Sequence, residues 1–155
     1  MFLTSLAQRL GHRPWFARVF RGLVPLDRAV GRLTRGRFVA LGLVPSLLLT
    51  TTGRRTGRSR TCPLLYVRDG DAYVVIGSNW GRPGQPAWSG NLLTDPVATV
   101  TVGGTAIPVR ATLVRGADRD RLRTRLLAEW PAYATYEQRA AGRRLRIFRL
   151  DPRVG

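Results

Sequence analysis

Four arginines in one short segment form the sharpest chemical feature of the chain. Arg54, Arg55, Arg58 and Arg60 lie within the segment GRRTGRSR, residues 53–60, from here on the arginine turn. Planar guanidinium groups bind phosphate or carboxylate oxygens through paired hydrogen bonds, and the glycines allow a ligand to approach the backbone. The turn therefore fits an anionic ligand, although a charged hairpin tip is often simply solvated. It is not a Walker loop, because the Gly-Lys-Ser/Thr ending is absent.

A second candidate site is the Gly/Pro-rich loop at 78–86 with the segment that follows it. Gly77-Ser78 ends an apolar stretch and opens the loop, where free backbone N–H groups and a hydroxyl can border a planar cofactor. Trp88 and Asn91 are three residues apart and share one side of a helical turn. The alternative interpretation places Trp88 in the core and makes Asn91 a helix cap.

Three aromatic residues at helical spacing form the third candidate. Trp130, Tyr133 and Tyr136 fall on one face of a helix. Where such a face meets solvent, the tyrosine hydroxyls provide a hydrogen-bonding lid over a substrate. Packing in the core is the more common role of an aromatic stripe.

The remaining inventory of reactive side chains is short. The 155 residues include 26 arginines, no lysine, nine acidic residues, one cysteine (Cys62) and one histidine (His12), for a formal net charge of +17. A guanidinium does not deprotonate in a protein, so Schiff-base and general-base lysine chemistry are excluded. One cysteine and one histidine cannot form an intrachain disulfide or a Cys/His zinc site. The acidic residues mostly adjoin turns and helix starts, which disfavours catalysis by paired carboxylates.

The chain divides into a leader at 1–37 and a single domain at 38–155. The leader carries eight arginines and one acidic residue among apolar residues at helical spacing. It is predicted to form short amphipathic helices that either lie on an anionic membrane surface or pack on the domain with their arginines solvated. Neither a membrane span nor a secretory signal is predicted. We expect a cytoplasmic protein, with peripheral attachment to the inner face of the membrane as the alternative.

The elements that must position the candidate residues are mainly strands. Extended segments are predicted at 46–52, 61–68, 72–77, 97–102, 105–114 and 144–150. Helices are predicted at 87–94, from Arg119 to about Trp130 with Asp118 as cap, and from Pro131 to near Gly142. Strands and helices do not alternate in the βαβ manner, which favours an α+β, mainly β protein. The architecture expected is a small closed or split barrel of about six antiparallel strands with short flanking helices.

Several motifs in a fixed order make the chain recognisable. They are Leu47–Arg60, Pro63-Leu64 with Tyr66, Arg68-Asp69-Gly70, Gly77-Ser78, Pro86-Ala87-Trp88 with Asn91, and Asp95-Pro96. Together they strongly resemble the deazaflavin-dependent nitroreductase and quinone reductase family of actinobacteria. The resemblance covers about residues 46–115 and is weaker in the tyrosine helix and the last strand.

This resemblance implies an FMN-binding-type split β-barrel that holds reduced coenzyme F-420, a deazaflavin. The C5 hydride of the cofactor would pass to a quinone, a nitroaromatic or an activated enone. The four arginines would grip the phosphate and polyglutamate tail. The other implied cofactor contacts are Pro63, Leu64 and Tyr66 at the ring and linker, Ser78 and Asn79 at the deazaflavin and its side chain, and Ala87, Trp88 and Asn91 in the wall. Ser78, Tyr133 and Tyr136 are the implied catalytic residues, as hydrogen-bond donors to the developing anion, with both tyrosines facing the acceptor.

Two alternatives remain open at this stage. A barrel of this kind can bind FMN, haem or a fatty acid without fast turnover, and FMN is the alternative cofactor. The charge of +17 also fits a nucleic-acid binder, although the aromatic residues do not interleave with arginines as in a stacking platform. Trp80 departs from the family pattern and is expected to narrow the pocket or shield the ring. The sequence leaves the oligomeric state open, and a homodimer is one expectation, because an exposed barrel face often pairs.

Overall fold

The computed structural model describes residues 46–140 and 142–154. The predicted leader at 1–37, its amphipathic helices and its membrane contact therefore lie outside the described residues, as does the domain boundary at residue 38. No helix within the described ranges combines the length and hydropathy needed to cross a membrane.

The described residues form seven strands and three α-helices. The strands are β1 (Ser46–Thr52), β2 (Ser59–Leu65), β3 (Val67–Asp69), β4 (Ala72–Ile76), β5 (Val97–Val102), β6 (Thr105–Leu113) and β7 (Ile147–Pro152). The helices are α1 (Ala87–Thr94), α2 (Gly116–Glu129) and α3 (Ala132–Arg139), with a short 3-10 turn at Asn79–Gly81. The protein is thus mainly β, as predicted.

All seven strands belong to one antiparallel sheet in the order β2-β1-β5-β6-β7-β4-β3. The two outermost strands, β2 and β3, are consecutive in the chain, with only Tyr66 between them. Opposite edges of a flat seven-stranded sheet would lie about 29 Å apart at ~4.8 Å per strand, whereas one residue spans about 3.6 Å. The sheet must therefore curl until its edges meet near Tyr66. This closure confirms the predicted split β-barrel.

The curled sheet buries both of its faces, and β4 contributes to each. Val74 and Ile76 pack against α2 and α3 in what we call the helix core. Tyr73 and Val75 point the other way, into the barrel core, which also holds Phe148 of β7 and the apolar side of α1. All five residues of β4 are buried, which explains its continuous apolar sequence.

A single carboxylate joins the β3–β4 hairpin to α2 and β7. Asp69 accepts two hydrogen bonds from Arg121 at 3.0 and 3.2 Å and one from Arg125 at 3.3 Å. It also accepts a hydrogen bond from Arg149. The hydrogen bond from Arg121, followed by the charges of all three guanidinium groups, lowers the pKa of Asp69. The network therefore links three elements through one ionised group.

This network predicts a defined dependence of stability on pH. The pKa of Asp69 is lower in the folded state than in the unfolded state. The stabilisation of the fold by ionised Asp69 is therefore complete above the unfolded-state pKa of about 4, and it is lost as pH falls through the folded-state pKa. We expect Asp69→Asn to lower the melting temperature at pH 7 and to flatten its fall between pH 5 and pH 2. Thermal unfolding across that range, with exposed Asp71→Asn as control, measures the effect. An equal change in melting temperature at every pH would contradict this role.

Several predicted boundaries differ from the structure. Strand β2 begins at Ser59, inside the segment 53–60 that is predicted as a turn, rather than at 61, and α3 ends at Arg139 rather than near Gly142. The strand predicted at 61–68 is divided at Tyr66, where the chain passes from one sheet edge to the other, so that seven strands form instead of about six. Asp118 does not cap α2. The helix begins earlier, after Arg115, and Asp118 lies in its first turn. The last strand begins at Ile147 rather than at 144.

Candidate active site

A cleft of about 560 Å³ opens where the arginine turn faces α1. The turn connects β1 to β2, so one wall comes from the ends of these two strands and the other from the first turns of α1. The lining residues are Thr51, Gly53, Arg54, Arg55, Thr56, Ser59, Arg60, Thr61, Cys62, Ala87, Trp88 and Asn91. The first two candidate regions of the sequence thus meet at this cleft, through the arginine turn and the Ala87–Asn91 segment.

Backbone hydrogen bonds close the arginine turn tightly. The N–H of Gly53 donates to the carbonyl of Arg58 at 2.8 Å, and the N–H of Gly57 donates to the carbonyl of Gly53 at 2.7 Å. Gly57 has φ of 67°, a left-handed conformation that glycine adopts without steric cost. A side chain on Gly53 would come within 3.0 Å of the Thr56 hydroxyl. The local sequence therefore folds into a compact loop with its arginines on the outside.

Asn91 ties this turn to α1 and is itself buried, with 4% of its surface exposed. Its Oδ1 accepts from the backbone N–H of Arg54 at 3.1 Å, and its Nδ2 donates to the Thr51 hydroxyl at 3.0 Å. The Arg54 guanidinium donates to the carbonyl of Ala87 at 3.1 Å and lies against Gly90, where a Cβ atom would approach it to 2.6 Å. Asn91 is therefore an internal tie of the site and not a helix cap.

Trp88 serves the barrel core and the cleft together. It is 8% exposed and contacts Phe148 edge to face, with ring centroids 5.7 Å apart. The remaining exposed part of the indole lines the cleft. The two interpretations of Trp88, core residue and cofactor wall, are thus compatible.

The donor groups of the cleft are suited to an anionic ligand that also carries a flat apolar part. Arg54, Arg55 and Arg60 line it together with four residues that carry hydroxyls, and its lining contains no acidic residue. Guanidinium and hydroxyl donors suit phosphate and carboxylate oxygens, while an indole wall suits a ring. Among residues 46–140 and 142–154, no cluster of three or more His, Cys, Asp or Glu side chains could hold a metal ion.

Six of the implied cofactor residues line the cleft: Arg54, Arg55, Arg60, Ala87, Trp88 and Asn91. The structure places the others elsewhere. Arg58 stays at the exposed side of the turn. Pro63 pairs with Leu48 in the β1–β2 ladder, and Leu64 and Tyr66 pack against the barrel core. Tyr66 contacts Tyr73 edge to face at 5.3 Å, and burial raises its pKa.

Ser78 and Asn79 lie in the loop that leads from β4 to α1, half-buried. Asn79 and Trp80 have φ of 46° and 56°, the left-handed region that is rare for residues other than glycine. The Asn79 side chain donates to the carbonyl of Gly84 at 2.7 Å and closes the loop on itself. Backbone strain of this kind concentrates at binding and catalytic sites.

Tyr133 and Tyr136 lie in the helix core, 5% and 1% exposed. Their rings contact each other edge to face at 6.2 Å, and Tyr136 contacts Trp80 in the same manner at 6.0 Å. Burial raises the pKa of Tyr136 to about 12 and also raises that of Tyr133, so both hydroxyls keep their protons at neutral pH. Their contact with an acceptor stays a prediction.

Three further residues near the site, Thr51, Cys62 and Arg143, carry no signal in the sequence that marks them. Thr51 and Cys62 line the cleft because β1 and β2 pair beside it. Arg143 reaches the Ser78 loop from a position 65 residues further along the chain. No local pattern marks such contacts, because only the folded sheet creates them.

The chain is similar in sequence and in structure to known proteins. A family model described as F420H(2)-dependent quinone reductase matches residues 26–152. An F420H(2)-dependent quinone reductase of Mycobacterium tuberculosis is 42% identical over 103 residues, which are 65% of this chain and 69% of the relative.

Two solved structures are also similar. One, described as an F420-H2 dependent reductase, has a TM-score of 0.63 at 29% sequence identity. The match covers 69% of this chain and 94% of the solved chain. Another, described as a domain-swapped dimer, has a TM-score of 0.65 at 26% identity over 81% and 96% of the two chains. The chain therefore belongs to the F420H(2)-dependent quinone reductase family, as a split-barrel oxidoreductase that depends on the deazaflavin coenzyme F-420.

Proposed function

We propose that the cleft between the arginine turn and α1 is where this enzyme binds reduced coenzyme F-420 for hydride transfer to a quinone-type acceptor. The observation that carries the proposal is the composition of the cleft, which combines three arginines, four residues with hydroxyls and a tryptophan without an acidic residue. The name of the Mycobacterium relative supports a quinone as the acceptor class. Nitroaromatics and activated enones are electron-poor alternatives.

The arginine turn binds the anionic part of the cofactor in this proposal. Arg55 and Arg60 line the cleft and supply paired N–H donors to phosphate and carboxylate oxygens. Arg54 contributes positive charge, but its Nη1 is already engaged with Ala87 and Asn91 at 3.1 and 3.4 Å. Its main task is to hold the turn against α1.

The ring-binding wall consists of Ala87, Trp88 and Asn91 at the start of α1. Trp88 is fixed by its contact with Phe148 and excludes water from the side of the barrel core. When bound, the deazaflavin supplies the hydride, so the protein needs neither a general base nor a metal for that step. Its contribution is to hold ring and acceptor at reacting distance, roughly 3–3.5 Å.

Ser78 is the candidate donor to the acceptor oxygen that gains negative charge. It is half-buried at the start of the strained loop, whereas the hydroxyls of Tyr133 and Tyr136 lie in the helix core. The two tyrosines then contribute by supporting Trp80, which packs on Tyr136. The solved relative described as a domain-swapped dimer supports the expected homodimer. Membrane contact through residues 1–37 has no support in the described residues and stays a prediction.

Anaerobic rapid mixing tests this proposal. Enzyme loaded with reduced coenzyme F-420 is mixed with a water-soluble benzoquinone, and formation of the oxidised deazaflavin is followed by absorbance. We expect one equivalent of oxidised cofactor per site, formed at least about tenfold faster than without enzyme, as positioning of two reactants predicts. Enzyme loaded with reduced FMN should give little acceleration. Equal acceleration with FMN, or none with the deazaflavin, would overturn the proposal.

A further inference from the structure

The guanidinium of Arg143 is saturated by a single loop. Its Nε donates to the carbonyl of Arg82 at 3.2 Å, its Nη1 to the carbonyl of Gly77 at 3.0 Å and to Gln85 Oε1 at 2.9 Å, and its Nη2 to the carbonyls of Ser78 and Arg82 at 2.9 Å each. A guanidinium has five N–H donors, and all five are used here. Arg143 is therefore committed to holding the loop and has no donor left for a ligand.

The loop that Arg143 holds is strained. Asn79, Trp80 and Gly81 follow one another with φ of 46°, 56° and 76°. Residues other than glycine rarely adopt this region and persist there only where the surroundings enforce it. The turn itself supplies two hydrogen bonds, from Gly81 N–H to Ser78 at 2.9 Å and from Arg82 N–H to Asn79 at 3.0 Å. Arg143 adds the bonds that gather the loop carbonyls around one cation.

The other contacts of the loop connect it to α3. A Cβ atom on Gly81 would lie 2.7 Å from the Cβ of Arg139, so only glycine allows this approach. Trp80 packs edge to face on Tyr136 of the same helix. Beyond the end of α3, Gly142 has φ of 80°, and the N–H of Arg143 donates to the carbonyl of Ala140 at 3.0 Å. Helix α3 and the guanidinium of Arg143 therefore hold the loop from one side.

The loop in turn fixes the start of α1. Gly77, the residue before the loop, lies against Pro86, the last residue of the loop, since a Cβ on Gly77 would come within 3.2 Å of the Pro86 ring. Pro86 directly precedes Ala87 and Trp88, which line the cleft. Arg146 strengthens the same junction, because its carbonyl accepts from Gly77 N–H at 2.8 Å and its side chain donates to the buried Ser89 hydroxyl at 3.2 Å. A change in the loop is thus transmitted to one wall of the cleft.

We propose that Arg143 is a positioning residue of the deazaflavin site, which locks the strained Ser78–Pro86 loop before the cofactor binds. The loop then presents Ser78 and the first turn of α1 in a fixed arrangement, so the cofactor does not have to order them. The inference rests on the proposed function, because it assumes that this wall meets the deazaflavin.

Hydrogen exchange on the ligand-free enzyme and cofactor titration test the proposal together. In Arg143→Gln and Arg143→Lys we expect exchange of the peptide covering 78–86 to be at least about tenfold faster, and the dissociation constant for oxidised coenzyme F-420 to rise about tenfold, because charge-assisted hydrogen bonds are lost. Lysine keeps the positive charge but has only three donors and no planar guanidinium group, so Arg143→Lys should not restore slow loop exchange or cofactor affinity. The rate of a single turnover at saturating cofactor should change less than the dissociation constant.

Arg144→Gln is the matched control, since the neighbouring arginine is exposed. It should leave the exchange of 78–86 and the dissociation constant unchanged. Unchanged exchange of β1 and β5 peptides shows that a variant is folded. If Arg143→Gln does not fold, the test of the proposal rests on Arg143→Lys. Faster loop exchange with an unchanged dissociation constant, or unchanged loop exchange, would overturn the role of Arg143 and leave the proposed function intact. If cleft arginine variants also bind the cofactor normally, the proposed function itself fails.

Discussion

Replacing Arg55 and Arg60 together by glutamine is expected to raise the dissociation constant for coenzyme F-420 by about 100-fold, because two charge-assisted hydrogen bonds of roughly 1.5 kcal/mol each are lost. Both guanidinium groups line the cleft, and the backbone of the turn is closed by its own hydrogen bonds. The turn should therefore keep its shape while losing two of its four positive charges. The lost affinity should also reduce the dependence of binding on salt concentration.

Quenching of tryptophan fluorescence on titration with the cofactor measures this effect. Arg110→Gln is the control for removal of a positive charge away from the cleft, because Arg110 lies exposed on β6 and does not line the cleft. Arg58→Gln is informative for a different reason. The resemblance implies that Arg58 binds the cofactor, whereas the structure places its side chain outside the cleft lining, so we expect a change of less than about threefold. A double variant that binds within about twofold of the parent enzyme would contradict the arginine assignment.

Much of the fold could be predicted from local sequence patterns. The bounds of β1, α1 and β5 agree with the residues predicted for them, because alternation, turn residues and Asp95-Pro96 mark their ends. The break at Tyr66 could not be predicted in this way. It carries no glycine, proline or Asx signal, and it exists because the sheet must close on itself, which is a property of all seven strands together.

The candidate site could be predicted where residue type alone carries the chemistry. The arginine turn and the Trp88–Asn91 pair meet at one cleft, as expected from the resemblance, which assigns both to one cofactor. The tyrosine stripe shows the limit of such reasoning. Helical spacing places Tyr133 and Tyr136 on one face but does not say whether that face meets solvent, and the structure buries it against the sheet.

The net charge also has a different meaning once the contacts are known. Several arginines are used within the fold to bind backbone carbonyls: Arg54 at Ala87, Arg119 at Leu145 and Arg143 at the Ser78 loop. A guanidinium can satisfy several carbonyls at once, which a lysine ammonium does less well. A large positive charge therefore does not by itself indicate a nucleic-acid surface, and here part of it is structural.

The reactivity of Cys62 can report whether the cofactor occupies the cleft. Cys62 is the only cysteine of the chain, and it lines the cleft from β2 beside Arg60 and Thr61. A ligand that fills the cleft must restrict access of a thiol reagent to this side chain. We expect saturating coenzyme F-420 to slow alkylation of Cys62 by iodoacetamide at least about tenfold, since protection follows the fraction of sites left open.

Alkylation of Cys62 with and without cofactor, followed by mass spectrometry, is therefore the most direct test of the claim that the deazaflavin occupies the arginine-lined cleft. We expect strong protection by coenzyme F-420 and little protection by FMN at equal concentration. In the Arg55→Gln/Arg60→Gln variant, protection should be lost at a cofactor concentration that saturates the parent enzyme. Cys62 that reacts at the same rate when fluorescence shows the cofactor to be bound would place the cofactor elsewhere and contradict the account.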